Sequence, residues 1–135
     1  MSESLARVVY VEDEPDIQAI VRIALEAIGG MKVTVFSSGQ EAIARAAEAQ
    51  PQLLVLDVMM PGLDGPGTLR LLREQSALRD VPVIFMTAKA QPQEIAALQQ
   101  QGAIAVISKP FDPMDLAAEL RQHWRTWQIA NAGQR

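Results

Sequence analysis

The chain has 135 residues, 49% hydrophobic and 21% charged, with sixteen acidic against twelve basic side chains and a net charge of −4. That balance fits one globular domain able to bury its own core rather than a disordered chain, and the net charge argues against a general phosphate-backbone binder. With no cysteine and one histidine, His123, disulfide frameworks, zinc–thiolate and iron–sulfur sites, a cysteine nucleophile and multi-histidine metal centres are excluded as well.

Met1 to Ala6 carries neither a basic stretch nor a long apolar run, so it does not read as a signal peptide. The apolar runs reach only four or five residues, where a membrane helix needs about 20. A cytoplasmic protein with no membrane association is the expectation. Val8 to Val11 is a short β-rich run. Asp16 to Ile28 then places Ile17, Ile20, Val21, Ala24, Leu25 and Ile28 at steps of three and four, the spacing of an amphipathic helix, which Gly29-Gly30 ends. Lys32 to Phe36 reads as a second strand, and Ser37-Ser38-Gly39 opens a helix through Glu48. After Pro51, Leu53 to Leu56 is a third strand, apolar on both faces. Pro61 to Gly67 has turn chemistry and leads to a helix over Thr68 to Gln75. Val83 to Met86 is a fourth strand, Gln91 to Gln101 a helix stopped by Gly102, and Ala103 to Ile107 a fifth strand. Pro113 to Trp127 makes the last helix, leaving residues 128–135 as a loose tail to a single domain with its core at about 6–127. Five strands alternating with five helices point to a parallel sheet covered on both faces.

Polar residues follow four of the apolar runs: Glu12 and Asp13 after the first, Asp57 after the third, Thr87 after the fourth and, past Ser108, Lys109 after the fifth. Right-handed crossovers put all of these at one edge of the sheet, where such folds bind ligands. Three crowded carboxylates repel one another unless a cation sits among them, and an all-oxygen ligand set suits magnesium or calcium. A carboxylate beside such a metal can also be a nucleophile, forming an aspartyl-phosphate. A lysine charge and a threonine hydroxyl would then meet the phosphoryl oxygens.

Val-Val-Tyr-Val-Glu12-Asp13-Glu, Leu-Val-Leu-Asp57-Val-Met-Met-Pro61-Gly-Leu-Asp-Gly65, Phe-Met-Thr87-Ala88 and Ser-Lys109-Pro110-Phe111 resemble the receiver domain of bacterial two-component response regulators, in order and spacing, over residues 6 to 127. The resemblance implies a doubly wound, flavodoxin-like α/β fold with strand order 2-1-3-4-5. It implies Asp57 as phospho-acceptor for a sensor histidine kinase or histidine phosphotransfer protein. It further implies Mg2+ held by Glu12, Asp13, Asp57 and the Met59 backbone carbonyl, a site completed by Thr87 and Lys109, and a cis bond before Pro110. The chain departs from the family pattern at Glu12, where aspartate is commoner. It departs again at Val106, where an aromatic that swings inward on phosphorylation is usual. Met59 and Lys89 flank the line of water attack on the phosphoryl group and are expected to slow its hydrolysis.

Asp64-Gly65 reads as a structural turn, and Gly62, Gly65 and Gly67 lack the spacing of a nucleotide loop. Leu116, Leu120, Trp124 and Trp127 form a helical stripe of core type, with Trp127 the candidate partner contact, and His123 is a surface residue. The short stretch after Trp127 leaves no room for an output domain. The expected output is therefore a phosphorylation-dependent contact with a downstream protein target, or onward phosphotransfer, by a monomer or weak dimer without nucleic-acid binding of its own. Two alternatives stand beside this switch, which is not an enzyme in the ordinary sense. One is a docking module that is never phosphorylated. The other is a magnesium-dependent phosphatase working through an aspartyl intermediate, and Met59 speaks against it, because the haloacid dehalogenase type carries a second aspartate there.

Overall fold

A computed structural model of the chain describes residues 4–132. The strands β1 (Arg7–Val11), β2 (Lys32–Phe36), β3 (Leu53–Asp57), β4 (Val83–Thr87) and β5 (Ala103–Ser108) form one sheet in the order β2-β1-β3-β4-β5. Every neighbouring pair is parallel. The helices α1 (Pro15–Arg22), α2 (Gly39–Arg45), α3 (Gly65–Leu72) and α4 (Pro92–Gln100) make the crossovers, and α5 (Leu116–Ala132) follows the last strand. This is the doubly wound α/β architecture that the alternation of elements implies.

All five residues of β3 and of β4 are buried, as central parallel strands require. Side chains two apart on a strand share a face, and the core divides accordingly. Val8, Tyr10, Leu53, Val55, Ile84 and Met86 pack under α1 and α5, together with Val21, Leu25, Leu116, Leu120 and Trp124. Val9, Val11, Leu54, Leu56 and Phe85 pack under the other three helices, with Ala42, Leu69, Leu72 and Leu98. Each large aliphatic side chain so buried contributes about 1.5–3 kcal/mol. The helix starts are chemically marked. Ser38 Oγ accepts from Glu41 N at 3.1 Å, and Asp64 Oδ1 accepts from Gly67 N at 2.8 Å. Pro15, Pro66 and Pro92 stand in first turns, where a missing N–H costs nothing.

Several element boundaries differ from the sequence expectation. Helix α1 is regular only to Arg22, and Ile23–Ile28 continues as a π-helical segment. The chain then passes so near α5 that a methyl group on Gly29 would lie 2.6 Å from the Ala117 Cβ. Helix α3 starts at Gly65, inside the expected loop, because Asp64 supplies the cap. A 3-10 turn over Ser76–Leu78, which the sequence did not suggest, buries Leu78 completely. The last helix begins at Leu116 rather than Pro113, and it runs through the expected loose tail as far as Ala132. Trp127 packs against the core there, and Asn131 Nδ2 donates to the Trp127 carbonyl at 2.8 Å, which sustains the extra turn. Residues 133–135 of that expected tail lie outside the described residues. Among the described residues, no helix is long and apolar enough to cross a membrane.

Candidate functional site

The strand order reverses at β1, so the crevice beyond the C-terminal ends of β1 and β3 is the place where this topology gathers chemistry. Four of the residues picked from the sequence meet in it. Lys109 Nζ lies 2.7 Å from Glu12 Oε1 and 2.9 Å from Asp57 Oδ1. Glu12, Asp13 and Asp57 each offer a carboxylate oxygen within 4.8 Å of the others. Glu12 and Asp57 are buried, 1% and 4% exposed, while Asp13 is half-buried.

Backbone contacts fix these side chains in place. Val58 N donates to the Met86 carbonyl at 3.0 Å, holding the end of β3 on β4, and Gly65 N donates to the Val58 carbonyl at 3.0 Å. A Cβ at Gly65 would stand 2.5 Å from the Asp57 carbonyl oxygen. Only glycine lets α3 start this close to the backbone that carries Asp57, so the Asp64-Gly65 turn has a site to support. Glu12 N donates to the Phe36 carbonyl at 3.0 Å, and Gln18 Nε2 donates to the Glu12 carbonyl and to Ser37 Oγ. Lys109 N donates to the Thr87 carbonyl at 2.9 Å, and the Lys109–Pro110 peptide bond is cis.

Tyr10 is the residue that sequence reasoning missed. Its ring is core, yet its hydroxyl donates to Glu12 Oε1 at 3.0 Å. The available signal was register: Tyr10 and Glu12 stand two apart at a strand end and so lie on one face.

Burial is the largest influence on Asp57 and pushes its carboxyl up. Lys109 opposes the rise and the neighbouring Glu12 charge adds to it, leaving a pKa of about 6. Burial acts upward on Glu12 too, but the hydrogen bond and charge of Lys109, with the Tyr10 hydroxyl, outweigh it and carry Glu12 below its ordinary value. For Lys109 burial acts downward, and the two carboxylates overcome it and hold the ammonium up. One lysine therefore answers three acids, and among the described residues no ion pair engages Asp13. A cluster of hard oxygen donors with an excess of negative charge fits a small divalent cation such as magnesium.

Thr87 is buried at the end of β4, and its Oγ1 accepts from Lys89 N at 3.0 Å, turned toward its own loop. Met59 is 66% exposed and lines a cavity with Thr87, Lys89, Glu94 and Leu98. Val106 is half-buried against the cluster under α2, α3 and α4. Trp127 does not join this group: it lies with Gln52, Val81 and Pro82, which precede β3 and β4, at the opposite edge of the sheet. Leu116, Leu120 and Trp124 are core. His123 is half-buried and lies 3.9 Å from Glu119.

A family model described as the response regulator receiver domain matches residues 8–121. The chain is 36% identical over 121 residues to response regulator Rre1 of Synechocystis sp., covering 90% of this chain and 52% of that protein. It is 32% identical over 119 residues to the DNA-binding response regulator MtrA of Mycolicibacterium smegmatis, covering 88% and 50%. The chain thus spans about half the length of these curated relatives. Among solved structures, the chemotaxis response regulator CheY4 of Vibrio cholerae matches with a TM-score of 0.81 at 28% identity, over 89% of this chain and 99% of that one. The receiver domain of Francisella response regulator 1452 matches with a TM-score of 0.79 at 26% identity, over 90% and 98%.

Proposed function

The chain belongs to the response regulator receiver domain family, and from that premise we propose that Asp57 is its phospho-acceptor, charged by a sensor histidine kinase or a histidine phosphotransfer protein. The observation that carries the reading is the buried Asp57 carboxylate, 2.9 Å from Lys109 Nζ and clustered with Glu12 and Asp13. In this reading Glu12, Asp13, Asp57 and the Met59 carbonyl hold magnesium, which supplies neutralising charge to the phosphoryl group. An Asp57 carboxylate oxygen attacks phosphorus as the bond to the donor's imidazole nitrogen breaks, giving an acyl phosphate and free histidine. Lys109 exchanges its contact with Asp57 for one with a phosphoryl oxygen. The Thr87 hydroxyl turns from Lys89 N to donate to another. The added charge, about −1.5 to −2, thereby biases the loops after β3 and β4, and a downstream protein that binds the two states differently reads the change. Val106 leaves that readout without an aromatic swing, so the Thr87 loop, with Lys89 in it, carries the signal.

The deciding experiment uses a small acyl phosphate with Mg2+ and follows intact mass. Wild type is expected to gain one phosphoryl group and Asp57→Asn none. A wild type that accepts nothing from this donor or from any histidine kinase would overturn the reading in favour of a docking module.

Hydrolysis of the acyl phosphate is expected to be slow, because Met59, two residues past Asp57, and Lys89 line one cavity with Thr87. After rapid desalting of phosphorylated protein away from the donor, into buffer that keeps Mg2+, the phosphoryl group should persist for minutes or longer. Loss within seconds would show that neither residue shields it.

A further inference from the structure

Tyr10 is the only tyrosine of the chain, and it is completely buried. Its ring belongs to the core under α1 and α5, but its hydroxyl reaches the acidic crevice and donates to Glu12 Oε1 at 3.0 Å. The same oxygen accepts from Lys109 Nζ at 2.7 Å. Among the described residues the other carboxylate oxygen, Oε2, accepts only from the Glu14 backbone N–H, at 3.4 Å. The two oxygens of Glu12 thus differ: one is engaged by two side-chain donors, and one is nearly open.

We propose that Tyr10 is a positioning residue of the metal site, whose hydroxyl anchors Glu12 Oε1 so that Oε2 faces the cation. This inference rests on the reading of the crevice as a magnesium and phosphoryl site. Its physical content lies in what happens when Lys109 moves. To meet a phosphoryl oxygen, Lys109 must release a carboxylate, and a Glu12 held by Lys109 alone would be free to follow it or to rotate. The Tyr10 hydroxyl is fixed by a packed ring beneath the sheet and does not move with the lysine, so Glu12 keeps its orientation throughout the transfer. A partner hydrogen-bonded to a metal ligand acts in just this way, and its loss commonly weakens metal binding 10- to 100-fold.

Tyr10 and Glu12 are also matched in length. An aspartate at position 12 would withdraw the carboxylate by about 1.5 Å, one carbon–carbon bond, and leave the buried hydroxyl without its partner. The glutamate and the tyrosine are accordingly one device, and neither explains the site without the other.

Calorimetric titration of Mg2+ into wild type, Tyr10→Phe, Glu12→Asp and the double variant tests this without reference to phosphorylation. Tyr10→Phe keeps the ring and removes one hydroxyl. It is expected to weaken Mg2+ binding about tenfold in the wild-type background, and less than about twofold in the Glu12→Asp background, since the two changes remove one interaction. Equal affinity of Tyr10→Phe and wild type, or equal losses in both backgrounds, would overturn the proposal, the second by showing the hydroxyl to be merely structural. Should Tyr10→Phe not fold, the near-ultraviolet absorbance of the single tyrosine in wild type serves instead. Mg2+ is expected to shift that band in wild type but not in Glu12→Asp, and an unshifted wild-type band overturns the proposal. A wild type that takes up no Mg2+ at all would bring down the metal-site reading and this inference together. Normal uptake unchanged by Tyr10→Phe would bring down this inference alone.

Discussion

Replacing Lys109 by methionine is expected to destabilise the metal-free protein by about 3 kcal/mol at pH 8, because it removes one partner from a buried charge pair and leaves the others in place. The lysine stands 2.7 Å from Glu12 and 2.9 Å from Asp57, and its side chain is only 16% exposed. Methionine has nearly the same length and fills the same space, so the loss reads the charge rather than the packing. The pH dependence follows from the carboxylates. At pH 8 the variant must either keep two adjacent buried anions or take up a proton, and both cost free energy. Below about pH 4 the acids are largely protonated in the unfolded chain as well, and the penalty fades. Chemical denaturation at the two pH values would show it. A variant as stable as wild type at pH 8 would mean that the ammonium does not hold the crevice together.

Asp57→Asn is expected to act in the opposite direction. The Asp57 carboxyl is raised from 3.8 to about 6. A group whose pKa is higher in the folded state contributes its stability while protonated, fully below the unfolded value, and loses it as pH rises through the folded value. The wild-type metal-free protein therefore weakens between about pH 4 and pH 7, by on the order of 3 kcal/mol from this group, or roughly 10 °C in melting temperature. Asparagine cannot ionise and escapes the loss, so the variant should melt well above wild type at pH 8 and close to it near pH 3.5. Mg2+ should narrow the gap by stabilising wild type more than the variant, since it binds the folded form through the carboxylate that the variant lacks. Identical melting of the two proteins at pH 8 without metal would overturn the account. Together with Lys109→Met, the pair makes one claim: the crevice holds more negative charge than its single lysine can answer.

Most of this arrangement was legible in the sequence, for a physical reason. Strands buried on both faces show as unbroken apolar runs, so the first polar residue after each run announces where the sheet ends. Asp57, Thr87 and Lys109 could be placed on one edge without coordinates, and the alternation of elements carried the fold. The legible signals failed where packing overrides local pattern. The apolar steps of Asp16 to Ile28 suit a regular helix, yet α1 loosens into a π-helical segment before the close approach of Gly29 to Ala117. The tail expected to be loose after Trp127 is instead helical, because α5 continues to Ala132 with Trp127 half-buried against the core. Tyr10 was hidden by its own chemistry: in a β-rich run an aromatic counts as core, and nothing in the run says that its hydroxyl escapes the core to reach Glu12. The helix start at Gly65 could be seen only as a turn, because the contact that demands glycine is with the backbone of Asp57.

The Lys109–Glu12 contact joins residues 97 positions apart, and this shapes how the protein comes into being. Glu12, Asp13 and Asp57 are synthesised first and meet as soon as β3 pairs with β1. Their counter-charge arrives only when the last-made strand, β5, closes the sheet. A contact of such long range is costly to form early in folding, so until β5 docks the three acids lack the lysine that answers them in the folded protein. Refolding is therefore expected to be faster with magnesium than without it, as stopped-flow mixing under the two conditions would show.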